Sequence, residues 1–453
     1  MSELVDEIYR HYKKSTLSEV LEYYEHHREL LERRENTIRI IGVAYRRMYN
    51  GGLERVLSNL LYIWRQMNYT VILFTDEEPD PRDYDYPKEI QRVILPPISD
   101  MWGRLSRLES ELCARKVDVF IQNTWQRESV LWEMLVVKSH HIPFVIYAHG
   151  HFTAIYQNVA DYAMASNRVF VLADKIISLS DMNERFYRLC GCIVTQIENP
   201  IAKELKEISP VYSKQDNHHI LWIGRIDSAK RLGDALRIFA EVNKRISDAV
   251  LDIVGMGDKS DEANAKSICK ELEIEHAVHF HGYQTDVGKY YQDSAVMLMT
   301  SEKEGYPTVL VESKAHGRAT VMYSLPYLSL VKDGKGIRTA QIGDIHTMAA
   351  QLCEVLLDDQ LRHRLEDETR ESFTQLCRYD HAAKWQEIFG ELSQKEKRVS
   401  GDQQDVLMSN LLDTLRSEIN YRLNRSFEYQ VGEKVLKIPR AILRFIRGKG
   451  RRK

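Results

Sequence analysis

At 453 residues, with 43% hydrophobic and 28% charged side chains, the chain has the make-up of a globular protein and is too long for one compact core. Disordered, collagenous and small disulfide-stapled architectures are thereby excluded. The net charge of −3 is unevenly spread: nine Lys or Arg face the single acid Glu433 between Val431 and Lys453, so this tail carries +8 and the other 430 residues −11. An acidic body with a basic tail points to a negatively charged surface as partner.

The N-terminus is acidic and has no apolar core of the secretory kind. The longest stretch free of Lys, Arg, Asp and Glu, from Ser139 to Ala160, is broken by four histidines and does not read as a membrane span. Six cysteines without CxxC spacing read as reduced thiols. These features place the protein in the cytosol, or at the inner face of a membrane. Residues 1–35 carry Leu4, Ile8 and Tyr12, then Val20, Tyr24 and Leu31, at helical spacing, which predicts an appended helical extension.

From Thr37 short Val- and Ile-rich runs alternate with helical segments: Ile38–Tyr45, Val71–Thr75, Val93–Leu95, Val117–Gln122, Phe144–Ala148 and Lys175–Ser180. Continuous apolar runs between helices predict parallel strands buried on both faces, hence a doubly wound α/β unit over 36–205. After a polar linker the alternation restarts with His219–Gly224, Val250–Gly255, Val278–Gly282, Ala295–Thr300, Thr320–Tyr323 and Gly336–Arg338. A second α/β unit with closing helices is therefore expected over 206–395, with a ligand cleft between the two. Residues 396–453 are expected to form a helical and basic amphipathic tail.

Three segments carry chemistry. Gly51-Gly52 lies where the first strand turns into a helix, so the backbone can approach an anion closely; a plain tight turn explains the pair equally well. It is not the GxGxxG dinucleotide fingerprint. In Gly224-Arg225-Ile-Asp-Ser-Ala-Lys230, two cations flank a strand-to-helix turn and can clamp a diphosphate, although a solvated pair at a helix start has the same spacing. Glu304-Gly305-Tyr306-Pro307-Thr308-Val-Leu-Val-Glu312 puts one carboxylate in a loop and another on the next helix, with Pro307 suited to the first helical position. Carboxylates accept hydrogen bonds from paired hydroxyls, as on a sugar or ribose. An ordinary packed helix also fits this stretch.

Taken in this order, the segments resemble a retaining glycosyltransferase of family 4 with the GT-B architecture of two facing Rossmann-like domains. Gly51-Gly52 matches its glycine-rich first loop, Gly224-Arg225…Lys230 its cationic motif, and Glu304…Glu312 its E-x7-E motif. Tyr147-Ala-His149-Gly150 and Asp174-Lys-Ile-Ile-Ser-Leu-Ser agree, and the likeness covers roughly residues 36–395. It implies that Arg225 and Lys230 hold the donor diphosphate and that Glu304 binds donor-sugar hydroxyls, helped by the segment Gly305, Tyr306, Pro307 and Thr308, whose backbone N–H donors are those of Gly305, Tyr306 and Thr308. It also implies Glu312 on the nucleotide ribose, Gly51 and Gly52 closing over the phosphates, His149 at the sugar, and Tyr283 flanking the base. Asn199-Pro200 departs from the family's usual Asn-Gly. His151 is a nearby rival to His149. Arg46, Arg47 and Trp125 lie in front-unit loops expected to face the acceptor.

The resulting expectation is a hexosyltransferase that takes a nucleotide sugar as donor and a lipid-linked or cell-surface glycan as acceptor, with no cofactor and no metal. Asp80-Pro-Arg-Asp83 and Asp358-Asp359 lack the strand-end setting that Mg²⁺ beside phosphates requires. A GT-B phosphorylase or epimerase, and a non-catalytic nucleotide-sugar-binding partner of another transferase, are the rival readings. In the tail, Ile438, Ile442 and Phe445 share one helical face and Lys437, Arg440, Arg444 and Arg447 the other. This is the pattern of an in-plane helix on an anionic membrane. Nucleic acid binding lacks a supporting domain.

Overall fold

All twelve apolar runs are β-strands in the computed structural model, which describes residues 3–15, 17–49, 51–123, 129–151 and 170–395. The front sheet comprises β1 (Ile40–Tyr45), β2 (Thr70–Thr75), β3 (Gln91–Ile94), β4 (Val119–Gln122), β5 (Phe144–Tyr147), β6 (Lys175–Ser178) and β7 (Val194–Gln196). The last of these is additional to the runs read from the sequence. The rear sheet comprises β8 (His219–Ile223), β9 (Val250–Val254), β10 (Val278–Phe280), β11 (Val296–Met299), β12 (Ala319–Tyr323) and β13 (Ile337–Ala340).

The front order is β3-β2-β1-β4-β5-β6-β7 and the rear order β10-β9-β8-β11-β12-β13, every pairing parallel. Each sheet reverses direction of winding once, between β1 and β4 in front and between β8 and β11 behind. Loops leaving these strands diverge to opposite faces and open a crevice at the strand C-termini, where ligands of open α/β sheets bind. The expected pair of Rossmann-like domains is thus present.

Two features differ from the linear reading. The N-terminal helix Glu3–Lys14 is built into the front domain rather than merely appended: Val5 and Ile8 are buried in its core, and Tyr12 meets Trp132 edge-on at 5.4 Å. The last described helix, His381–Ser393, which the sequence groups with the rear unit, packs on the front domain. Trp385, Ile388, Phe389 and Leu392 are buried there against Ile41, Val43 and Trp64, with Trp64 and Trp385 edge-on at 5.0 Å. The reason is its apolar stripe, which matches the open face of the helix Gly52–Gln66.

All six cysteines are free thiols. Among the described residues, no helix is long and apolar enough to cross a membrane. The tail 396–453 lies outside them.

Candidate active site

The rear half of the site is assembled by two loops stitched together. Trp222 at the end of β8 donates from Nε1 to Thr300 Oγ1 at 3.1 Å, and the Thr300 hydroxyl donates to the Lys230 carbonyl at 2.9 Å. The Glu302 N–H donates to the Ala229 carbonyl at 3.0 Å. Asp227 caps the turn by accepting from the Lys230 N–H at 3.1 Å. Arg231 then enters the helix Leu232–Arg245 in the left-handed region (φ 50°, ψ 47°), its guanidinium held by Asp234 and Glu302. So fixed, the Lys230 ammonium meets Glu304 Oε1 at 2.5 Å in a mostly buried position, although 74 residues separate them.

Arg225 does not join this pair. Its side chain is 81% exposed and ion-paired with Asp227 at 3.0 Å. The guanidinium is held by Asp227 on its own turn while Lys230 is held by Glu304, so the two expected cations do not converge here. Pro307 also stands one place earlier than read: it is the N-cap of the helix Thr308–Ala315, not its first residue. Having no side-chain oxygen, it leaves the first-turn N–H groups uncapped, an arrangement suited to an anion or a hydroxyl. The Glu304 N–H is taken by the Tyr327 hydroxyl at 3.0 Å.

From the front domain, His149 follows β5 and stacks on Tyr147 at 4.1 Å. Its Nε2 lies 2.9 Å from Asn123 Oδ1, while Asn123 Nδ2 donates to the Ala44 carbonyl, so the amide is oriented and His149 carries its proton on Nε2. Burial lowers the imidazole pKa to about 3, so it is neutral and offers Nδ1 as an acceptor. His151, the rival, lies 5.0 Å from the Tyr327 ring, with its pKa lowered to about 4 by burial and by Lys303. Both histidines therefore border the Glu304 loop, one directly and one through Tyr327.

The domains touch where glycines allow it. A Cβ on Gly305 would lie 2.0 Å from the His149 carbonyl oxygen, and one on Gly52 would lie 3.2 Å from Thr308 Oγ1. Gly51 is the extended N-cap of the front helix, where a Cβ would strike the Glu54 carboxylate folded back over it. Arg55, one turn on, donates to Glu312 Oε1 at 3.0 Å across the gap. The Tyr291 hydroxyl reaches Glu312 Oε2 at 3.3 Å. Burial raises the Glu312 pKa, and Arg55 and Tyr291 oppose that rise. Tyr306 packs between the two cores, and Tyr283 lies exposed in the loop after β10.

Of the residues expected to face the acceptor, Arg46 pairs with Glu77 at 2.9 Å and Arg47 with Glu54 at 3.3 Å, both in the loop after β1. Trp125 lies outside the described residues. Asn123, Arg55, Tyr291 and Tyr327 are site residues the sequence reading missed. Their partners are far away in the chain, so no local spacing marks them; Arg55, three places past Gly52, was the most accessible to inspection.

A family model described as Glycosyltransferase Family 4 matches residues 50–204, and one described as Glycosyl transferases group 1 matches residues 205–372. The amylovoran biosynthesis glycosyltransferase AmsD of Erwinia amylovora is 25% identical over 328 residues, which is 69% of this chain and 88% of that protein. An uncharacterized glycosyltransferase of Haemophilus influenzae is 30% identical over 153 residues; the match takes in 33% of this chain and only 42% of that protein's length. The fold is shared with a mutant of S. aureus TarM in complex with fondaparinux, alpha-GlcNAc-glycerol and UDP (TM-score 0.64, 11% identity, 79% of this chain and 100% of that one). It is likewise shared with Anabaena HepE in complex with UDP and glucose (TM-score 0.63, 15% identity, 78% and 99%).

Proposed function

Because the chain belongs to glycosyltransferase family 4 and has the GT-B fold, we propose that it moves a hexose-type sugar from a nucleoside-diphosphate sugar to a lipid-linked or cell-surface glycan, with retention and without a metal. The observation that carries this reading is the Lys230–Glu304 pair beside the uncapped helix start at Thr308, faced by neutral His149 from the other domain. A role in polysaccharide assembly is supported by AmsD and by the N,N'-diacetylbacillosaminyl-diphospho-undecaprenol alpha-1,3-N-acetylgalactosaminyltransferase of Campylobacter jejuni (24% identical, 54% of its length).

Breaking a sugar–phosphate bond leaves positive charge on the anomeric carbon and negative charge on the departing diphosphate. In this reading Lys230 and the N–H groups at the helix start Thr308 oppose the second, and they do so more strongly in the transition state than in the ground state. Arg225 swings from Asp227 onto the diphosphate once that anion is present. Glu304, already fixed by Lys230, accepts from sugar hydroxyls, and Glu312 accepts from the ribose. Same-face attack lets the leaving phosphate take the acceptor's proton, which gives retention.

Purified protein should transfer sugar from one of the UDP-, GDP- or dTDP-sugars with its anomeric configuration kept, as read by NMR, and EDTA should not slow it. Lys230→Ala and Glu304→Ala should each lower kcat about 100- to 1,000-fold. Unchanged transfer in both would remove the assignment, and donor turnover without any acceptor would favour the phosphorylase or epimerase. For residues 431–453 we propose docking on an anionic membrane. Deleting them should abolish co-sedimentation with anionic vesicles, and equal sedimentation of the truncated chain would refute it.

A further inference from the structure

On the rear sheet, among residues that the transfer site does not use, one carboxylate gathers three imidazoles. Asp252 is the middle residue of β9. In the parallel register His279 of β10 stands beside it on one side and Leu221 of β8 on the other. Side chains alternate along a strand, so His219, two places before Leu221, and His281, two places after His279, reach the same face. Asp252 Oδ2 lies 3.0 Å from His219 Nδ1, and Oδ1 lies 2.7 Å from His281 Nε2 and 3.5 Å from His279 Nδ1. One ligand atom each from Asp252, His279 and His281 falls within 4.8 Å of the others.

We propose that Asp252, His279 and His281 form a binding site for a divalent cation of the zinc class, with His219 orienting the carboxylate from its other oxygen. Two ligands bound tetrahedrally at zinc distances stand about 3.3 Å apart, and the observed 2.7 and 3.5 Å bracket that value. Hydrogen bonding alone accounts poorly for His279. Its Nδ1 is too far from Oδ1 for a strong hydrogen bond, yet it points to the same oxygen that His281 already engages. A shared cation between the three atoms uses both nitrogens at once. Imidazole nitrogens with a carboxylate oxygen are a donor set that suits zinc, and the partial exposure of the cluster leaves a fourth position for water. The His219–carboxylate contact is the outer-shell support such ligands need.

The site sits where a clasp has mechanical use. β10 is a three-residue edge strand held only by β9, and His281 leads directly into Gly282 and Tyr283. A cation bridging β9, β10 and that loop would pin the edge without entering the transfer chemistry.

The untagged full-length chain, stripped with a chelator, is titrated with Co²⁺ alone and then with Zn²⁺ as competitor. The expected result is one Co²⁺ per chain with the visible bands of four-coordinate cobalt, displaced by Zn²⁺, and a Zn²⁺-dependent rise in Tm. His279→Ala removes a half-exposed side chain and should weaken binding more than about 100-fold, as should Asp252→Asn, whereas His219→Ala should weaken it about 10- to 100-fold. Circular dichroism verifies folding, and if Asp252→Asn fails to fold, His279→Ala decides. No saturable binding by the wild-type chain, or His279→Ala binding as tightly as wild type, would overturn the site.

Discussion

In the proposed reaction Glu304 would be useful because it is held before a substrate arrives. Its carboxylate is fixed by the Lys230 ammonium and its own N–H by the Tyr327 hydroxyl, so little reorganisation remains when sugar hydroxyls approach. His149 is poised differently, by remaining uncharged. Its folded pKa of about 3 lies below the ordinary 6.5, so below pH 6.5 the unfolded chain binds a proton that the folded chain refuses. Its contribution to stability is therefore complete above pH 6.5 and drains away as pH falls toward 3. His149→Asn removes this proton while keeping an amide donor for Asn123. The variant's Tm, followed by thermal unfolding, should fall less than wild type between pH 6.5 and about 4.5, by the equivalent of roughly 1–2 kcal/mol once partial exposure is allowed for. Parallel acid profiles for the two proteins would show that His149 titrates normally.

Among the elements, the helix His381–Ser393 does the most with the least warning. Trp385 is fully buried in the front core against Trp64 and Phe389. Trp385→Ala should cost about 3–5 kcal/mol, seen as a lowered Tm and denaturant midpoint, and an unchanged Tm would mean that the helix is dispensable to the front core. The sequence could show that this stretch is an amphipathic helix, because periodicity is local. It could not show which core receives the stripe, since that depends on which surface is left open by residues three hundred places earlier. The strands were legible for the opposite reason: burial on both faces makes most of them near-continuous apolar runs. The exception, Val194–Gln196, is three residues long, lies at a sheet edge and ends in Thr-Gln, so it lacks that mark. In the site the same division holds. Gly51-Gly52, Lys230, Glu304 and Glu312 were readable as motifs. The Arg225 side chain's outward turn, and the help of Asn123, Arg55, Tyr291 and Tyr327, come from tertiary contacts.

For the whole molecule, the approach of the two domains is recorded in the Arg55–Glu312 pair and in the near-touch of Gly305 and the His149 carbonyl. Arg55→Glu would set two carboxylates against each other with Glu312 poorly hydrated, so the arrangement seen here becomes unfavourable. Small-angle scattering should then give a larger radius of gyration, and the donor KM should rise several-fold or more; an unchanged radius would show that the pair does not help to hold the domains together.

The return of the last described helix to the front domain has a mechanical corollary. Among the described residues the polypeptide passes between the halves twice, once near Pro200 and again just before His381. Two anchor points define a line, as the pins of a door do, whereas one would permit swivelling in any direction. A hinge motion of the two halves would thus be confined to rotation about an axis through those passages, and closing would bring the loop of Glu304 back to the same place beside His149.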